Sequence, residues 1–211
     1  YNSDDFGVEA KEDNSPLTKA DTAANEFICE ELNKLYPNIP VLSEERKAMD
    51  FEERKHWLHC FIVDPIDGTK EFIKKNGEFT VNIAYAVEGK VMEGVIFAPV
   101  LKTLYFTSAG KSFRMKGEDC QMLPLEQKET VYKIVASRSH ISEKTQEFVD
   151  QMKSSHPNLE LVNVGSSLKF CMIAEGSADI YPRFNPTMEW DTAAAQAIVE
   201  QAGGQVLNLH T

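Results

Sequence analysis

Three stretches rich in β-branched and aromatic residues, 79–87, 91–98 and 103–108, follow one another with only Glu88-Gly89 and Pro99 as punctuation. Connections that short join antiparallel neighbours, because parallel pairing needs a crossover of a dozen residues or more. The spacing predicts an antiparallel meander, continued weakly over 112–115 after Gly110. Upstream, Ala20, Ala23, Ala24, Phe27, Ile28, Leu32 and Leu35 recur at three and four, which predicts an amphipathic helix from Thr18 until Pro37 and Pro40 stop it. A strongly charged stretch, 44–56, then leads to His59-Cys60-Phe61-Ile62-Val63, a short apolar run that reads as a buried strand ending at Asp64-Pro65.

Beyond the polar stretch 124–130 the pattern changes to alternation. Strands are expected at 134–136, 159–164, 178–181 and 205–209, and helices at 142–154, 166–175 and 191–202. Alternation of this kind predicts an α/β half. The expected architecture is therefore an α+β subdomain over residues 1–125 and an α/β subdomain over 126–211, with no repeat, low-complexity tract or flexible linker. The cysteines, the seven methionines and most aromatics are expected in the core.

Composition narrows the function. The chain has 22 Lys and Arg against 33 Asp and Glu, a net charge of -11, and no basic patch with interleaved aromatics, so a nucleic-acid polymer is not an expected partner. A small phosphate ester is compatible with that charge if divalent cations neutralise a carboxylate cluster. No apolar run approaches the ~20 residues of a membrane-spanning helix. Cys29, Cys60, Cys120 and Cys171 form no C-x-x-C pair, which argues against a zinc site or a disulfide framework and for a reducing, cytoplasmic setting, with peripheral membrane association left open.

The candidate chemistry lies in Asp64-Pro65-Ile66-Asp67-Gly68-Thr69, which sets two carboxylates three residues apart directly after a buried strand. Pro65 holds Asp64 extended, Gly68 permits positive φ and close ligand approach, and the Ile66 carbonyl is a third oxygen between the aspartates. Hard cations such as Mg2+ take ligands of this kind and leave places for water and substrate phosphate. Thr69 would start a short helix at the same point. The structural alternative is a plain Asp-Pro/Asp-Gly turn. Likewise Glu44, in Ser43-Glu44-Glu45, reads equally as part of a solvated acidic run, Asp191 as an N-cap, and Asp21 as the capping-box partner of Thr18.

Taken together, Ser-Glu-Glu at 43–45, Asp-Pro-Ile-Asp-Gly-Thr at 64–69 and Trp-Asp-Thr-Ala-Ala at 190–194, ending in Ala202-Gly203-Gly204, resemble the lithium-sensitive, Mg2+-dependent inositol monophosphatase superfamily over nearly the whole chain. Lys70-Glu71-Phe72-Ile73, the segment 76–82, Ser137-Arg138-Ser139-His140 and the segment 165–171 look most like its bacterial bisphosphate-nucleotide phosphatases. The resemblance implies a layered αβαβα sandwich. It implies two or three Mg2+ ions held by Glu44, Asp64, the Ile66 carbonyl, Asp67 and Asp191, with Asp21 and Thr69 activating water. Gly68 and Thr69 would then cradle the phosphate, and Ser137, His140, Gly165 and Lys169 would hold the nucleotide, with Ser166, Ser167 and Arg183 as further candidates.

The implied reaction is hydrolysis of the 3'-phosphate of adenosine 3',5'-bisphosphate to AMP and phosphate, with 3'-phosphoadenylyl sulfate as a second substrate and sulfate assimilation as the context. The alternatives are an inositol or broad sugar phosphatase of the same superfamily, or a non-catalytic protein that binds metal or nucleotide. On the residues alone His140 also reads as a helix-start histidine and Lys169 as the solvated face of its helix. A monomer or homodimer is expected. Family members usually carry a further helix before and a strand or tail after this span, so the resemblance implies a trimmed form.

Overall fold

The computed structural model describes residues 1, 6–11, 15–46, 49–126, 131–138 and 141–208. Two short strands, β1 (Glu9–Ala10) and β2 (Pro16–Leu17), pair antiparallel ahead of α1 (Lys19–Leu35). Next come β3 (Val41–Ser43), α2 (Phe51–Arg54), β4 (His59–Asp67), α3 (Thr69–Ile73), β5 (Thr80–Val87), β6 (Lys90–Ala98), β7 (Thr103–Ser108), β8 (Lys111–Lys116) and β9 (Asp119–Met122). Strands β3 to β9 form one seven-stranded sheet in chain order, in which only β3 and β4 are parallel. The meander expected from the short turns is thus present and extends by a further hairpin to β9. The strongly charged stretch after Ser43 contains α2 and forms the crossover that a parallel β3–β4 pair requires.

The chain continues through β10 (Lys133–Ser137), α4 (Glu143–Ser155), β11 (Glu160–Val164), α5 (Leu168–Glu175) and α6 (Glu189–Gln201). Strands β10 and β11 pair in parallel, with α4 as their crossover. Two expected strands are corrected. Around Ala178 only a single bridge, Ile180 with Ile134, joins the pair, and 205–208 form no strand, residue 209 lying outside the described residues. The pattern of apolar residues there marks burial against α5 and α6, which Val206 achieves without pairing its backbone.

Each face of the large sheet is covered by a helix. On one side Cys29, Ile28 and Leu32 of α1 pack on Val41, Phe61 and Val63, with Ile83 and Tyr85 beside them. On the other side α6 lays Ala193, Ala194, Ala195, Ile198 and Val199 against Ala84, Ile96 and Tyr105, and α5 packs alongside through Cys171 and Ala174. Polar ties hold that second face. Ser112 Oγ donates to the Ile198 carbonyl at 2.6 Å, and Glu175 accepts from Tyr105 Oη and Arg114 at 2.9 Å each.

The α1 stripe differs from the apolar pattern. Asp21, Asn25 and Cys29, four apart, are the buried residues, whereas Phe27 and Leu35 are 67% and 68% exposed. A polar line on the inner face is tolerated because Asn25 Oδ1 accepts from Ser43 Oγ at 2.7 Å and from Cys29 at 3.3 Å. The expectation that methionines and cysteines fill the core also needs correction. Cys29 and Cys171 are buried, but Cys120, Met49, Met92, Met122 and Met188 are exposed, and all four thiols are free. Alanines occupy the α6 interface instead, because the helix lies too close to the sheet for long side chains. Among the described residues no helix is long and apolar enough to cross a membrane.

Gly94 makes that close approach possible. A Cβ there would stand 2.2 Å from the Ala194 carbonyl oxygen and 3.0 Å from its carbon. Gly94→Ala is expected to lower stability by about 2–3 kcal/mol, seen as a thermal midpoint roughly 5–10 °C lower. Gly89→Ala, where a Cβ would meet nothing within 4 Å, should cost only about 1 kcal/mol for its left-handed backbone.

Candidate metal and phosphate site

Strand β4 does not end at Asp64 as the sequence suggests. Its register breaks between Asp64 and Asp67, and pairing resumes with Asp67 opposite Thr80. Partner β3 stops at Ser43, opposite Val63, so Pro65 needs no donor there and the irregularity turns both aspartates inward. Gly68, at φ 92°, then takes the chain into α3, with Thr69 as its first residue.

One carboxylate oxygen from each of Asp64, Asp67 and Asp191 lies within 4.8 Å of the other two. Asp191 arrives from the first turn of α6, where its Oδ2 accepts from Thr187 Oγ1 at 2.7 Å and from the Met188 amide at 3.1 Å. It is not the N-cap, a position Met188 holds, but the third residue of the helix, bonded back to the Met188 amide, and it joins the cluster as well. Asp67 Oδ2 accepts from the Ser167 amide at 2.6 Å, Ser167 Oγ at 2.5 Å, Asn82 Nδ2 at 3.3 Å and Thr80 Oγ1 at 3.5 Å. Asp64 Oδ1 accepts the Ile66 amide at 3.1 Å. Glu44 lies close enough to Asp64 to act on its charge and pairs with Lys11 Nζ at 2.8 Å, the same ammonium reaching Glu45 at 2.5 Å.

Electrostatics mark the cluster as one that calls for a cation. Burial first, then repulsion from Asp67, Glu44 and Asp191, holds the Asp64 carboxyl well above the ordinary carboxylate range. Burial also raises Asp67, against the pull of Lys169 and Ser167, and raises Glu44 despite Lys11. Oxygen donors of this charge and spacing suit a hard divalent cation. Asn82 Oδ1, buried beside Asp67, has no hydrogen-bond partner among the described residues, a further acceptor at the same place.

Asp21 makes the expected capping box and also meets Thr69. Its Oδ2 accepts from the Thr18 amide at 2.8 Å and Thr18 Oγ1 at 2.5 Å, completing a capping box, while Oδ1 accepts from Thr69 Oγ1 at 3.1 Å. Thr69 Oγ1 also lies 3.2 Å from the Ile66 carbonyl oxygen, which brings that carbonyl to the site.

A cleft of about 140 Å3 opens over the cluster, lined by Asp67, Gly68, Ser137, Gly165, Ser167, Lys169 and Arg183 among others. It shares Ser137, Tyr181 and Arg183 with an adjoining cleft of about 280 Å3 that reaches Phe184 and Asn185. Ser166 does not begin the helix expected from 166. It sits at φ 49°, and α5 starts at Leu168. Lys169, 4% exposed, is not on a solvated face: Nζ donates to the Ser166 carbonyl at 2.6 Å and the Val164 carbonyl at 3.4 Å and lies over the Tyr181 ring. Burial lowers its pKa, with Asp67 opposing. His140 lies outside the described residues. Sequence reading gave no role to Lys11, Thr80, Asn82 or Tyr181. Asn82 and Thr80 had a signal, polar residues alternating inward on an otherwise apolar strand, but Lys11 had none.

The inositol monophosphatase family profile matches residues 1–211. The 3'(2'),5'-bisphosphate nucleotidase CysQ of Salmonella typhimurium is 48% identical over 198 residues, 93% of this chain and 77% of that protein. Its counterpart in Escherichia coli K12 is 46% identical over 201 residues, 94% of this chain and 78% of that one. The crystal structure of CysQ from Bacteroides thetaiotaomicron superposes with a TM-score of 0.86 at 45% identity, covering 96% of this chain and 79% of that one. The suhB protein of Bartonella henselae, at 24% identity and a TM-score of 0.72, shares the fold.

The raised carboxyls give a pH dependence of defined sign. A carboxyl whose folded pKa exceeds its unfolded one adds stability that is complete below about pH 4 and is lost as pH rises through the folded value. In protein stripped of divalent cations, the thermal midpoint gap between Asp64→Asn and wild type should therefore widen in the variant's favour from about pH 5 to about pH 8. A gap constant across that range, measured by calorimetry in EDTA, would contradict the assignment.

Proposed function

The chain belongs to the inositol monophosphatase family, and from that premise we propose that it hydrolyses the 3'-phosphate of adenosine 3',5'-bisphosphate to AMP and inorganic phosphate. 3'-Phosphoadenylyl sulfate is the second substrate, and sulfate assimilation in the cytoplasm is the setting; the protein acts as a monomer or homodimer. The observation that supports this reading is one continuous cleft in which cations stand against the acidic cluster and aromatic rings lie further out. Asp67 and Asp191 share its inner part with Lys169 and Arg183, whose Nη2 is 3.8 Å from Asp191 Oδ2, and the adjoining part runs past Tyr181 to Phe184. A substrate with a second phosphate for these cations and an aromatic base for the adjoining cleft matches that lining, whereas an inositol monophosphate would leave the adjoining cleft unused.

Metal dependence is a property of the family. In our reading the metal is Mg2+, two or three ions, held by Glu44, Asp64, the Ile66 carbonyl, Asp67 and Asp191. Bound there, the ions supply charge neutralisation and a more acidic water. The protein supplies the rest. Thr69 Oγ1, donating to Asp21 Oδ1 at 3.1 Å, keeps its lone pairs for the attacking water. As that water attacks phosphorus, its proton passes to Thr69 Oγ1 and the threonine proton to Asp21 Oδ1, while the P–O3' bond breaks and the departing 3'-oxygen takes a proton from solvent water to leave AMP. Thr18, with two donors on the other oxygen, fixes the carboxylate in plane for the transfer. Gly68 lets the phosphate approach the backbone: its φ of 92° is open to glycine, and an added Cβ would lie 3.2 Å from both Ser166 Cβ and the Glu78 carbonyl oxygen.

In the facing walls, Ser137, Gly165, Ser166 and Lys169 hold the nucleotide with Arg183 on the uncleaved phosphate, and His140 keeps its sequence reading as a nucleotide contact. Ser167 acts differently, bracing Asp67 from the wall of the cleft.

Phosphate release in Mg2+ should be fast from adenosine 3',5'-bisphosphate and slow from inositol 1-phosphate and AMP, and Asp64→Asn should reduce it to background. Thr69→Val should lower kcat by about 10²–10⁴ with little change in KM. Equal or better turnover of inositol 1-phosphate would replace this reading with the inositol phosphatase one. No turnover of any ester by the wild type would favour a binding protein.

A further inference from the structure

Strands β10 and β11 end side by side, and each passes the chain into a wall of the cleft. Ser137 closes β10 and lines both halves of the cleft, while Gly165, Ser166 and Ser167 come directly after β11. Glu78, just ahead of β5, stands between them. Its Oε2 accepts from the Gly165 amide at 2.8 Å and from Arg138 Nε at 2.7 Å, and its Oε1 accepts from Arg138 Nη2 at 2.7 Å. The same Nη2 donates to the Asn163 carbonyl at 2.6 Å. One carboxylate thereby ties the residue after Ser137 to the residues on either side of Val164.

The segment it holds has little freedom and an unusual backbone. A Cβ at Gly165 would lie 2.6 Å from Glu71 Cγ and 2.8 Å from the Glu78 carbonyl oxygen. Ser166 has φ 49°, a conformation that persists in a serine only where the surroundings impose it. Ser167 comes next, with both of its donors on Asp67.

We propose that Glu78 is a positioning residue for substrate binding: with Arg138 it clamps Ser137 and the 164–167 segment at the separation the bisphosphate nucleotide requires. The proposal rests on the functional reading above and deepens it. Glu78 acts through Gly165 and Arg138. The acidic cluster is less dependent on the clamp, because Thr80 and Asn82 of β5 also hold Asp67. Loosening the segment therefore weakens affinity more than turnover.

A carboxylate is needed for this geometry. Two oxygens serve the forked guanidinium and the amide together, whereas glutamine has one acceptor and would turn an NH2 against either donor. Arg138 is 47% exposed, and so exposed a pair adds little to global stability. Glu78→Gln should therefore fold.

Two readouts test the clamp. Amide hydrogen exchange across 164–167, followed by mass spectrometry, should rise in Glu78→Gln and in Arg138→Gln. KM for adenosine 3',5'-bisphosphate should rise about ten-fold in each, with kcat within about two-fold of wild type. The double variant should be no worse than the worse single one, and Arg138→Lys should recover part of the loss. Unchanged exchange would overturn the clamp, as would additive effects in the double variant. An unchanged KM, or a fall in kcat and thermal midpoint as large as the change in KM, would overturn its role in binding. A wild type that releases no phosphate from the bisphosphate would sink the functional reading instead, and the exchange data would then decide the clamp by themselves.

Discussion

Three carboxylates at the end of a buried strand, one oxygen of each within 4.8 Å of the other two, are the constraint around which this molecule is arranged. Two unit charges about 4 Å apart repel by roughly 4 kcal/mol at an effective dielectric constant near 20. That is a large fraction of the roughly 5–15 kcal/mol by which a domain is typically stable. The structure meets the repulsion with donors. Asp67 receives four hydrogen bonds, Asp191 two at the head of α6, and Glu44 an ammonium from Lys11. The residual strain appears as carboxyls displaced upward from their ordinary range, and a bound cation would relieve it directly.

Close packing of α6 on the large sheet brings Asp191 to β4. Helix α6 crosses the face of the large sheet against β4, β5 and β6, its buried side a run of alanines, with Gly94 beneath the Ala194 carbonyl. Larger residues at that interface would lift the helix and carry Asp191 away from its two partners. Core packing and the site are therefore one problem, in which the small side chains of α6 set a distance that the chemistry uses. Asp21 illustrates the same economy, since one carboxylate caps α1 and receives the Thr69 hydroxyl.

The lining of the cleft comes from both parts of the chain. The acidic cluster comes chiefly from β4 and the start of α6, while the facing walls are built from the segments leaving β10, β11 and α5. Ser167 connects them, with its amide and hydroxyl on Asp67 and its hydroxyl 3.2 Å from the Asp191 carbonyl oxygen. Lys169, turned onto two carbonyls and the Tyr181 ring, shapes the wall from behind as well as adding charge. The fold is shared at 24% identity and does not by itself set a substrate, which is left to the side chains that line the cleft.

Much of this was legible in the residues themselves. Short punctuation between β-rich runs dictated an antiparallel meander, Thr18 with Asp21 dictated the start of α1, and Asp64, Asp67, Gly68 and Thr69 marked the turn, because these are local matters of hydrogen bonding, sterics and turn geometry. What tertiary structure alone decided lies in contacts between distant segments. Phe27 faces solvent while Asp21 and Asn25 are buried, and β4 continues past Pro65 because β3 has already ended. Strands at 178–181 and 205–208 are replaced by packing, and Ser166 is held in a left-handed turn outside α5. Lys11, Asn82 and Lys169 found their partners only on folding. Propensity and periodicity depend on neighbours along the chain, whereas a hydrogen bond across 100 residues of sequence, like Ser167 to Asp67, depends on where packing brings the chain back.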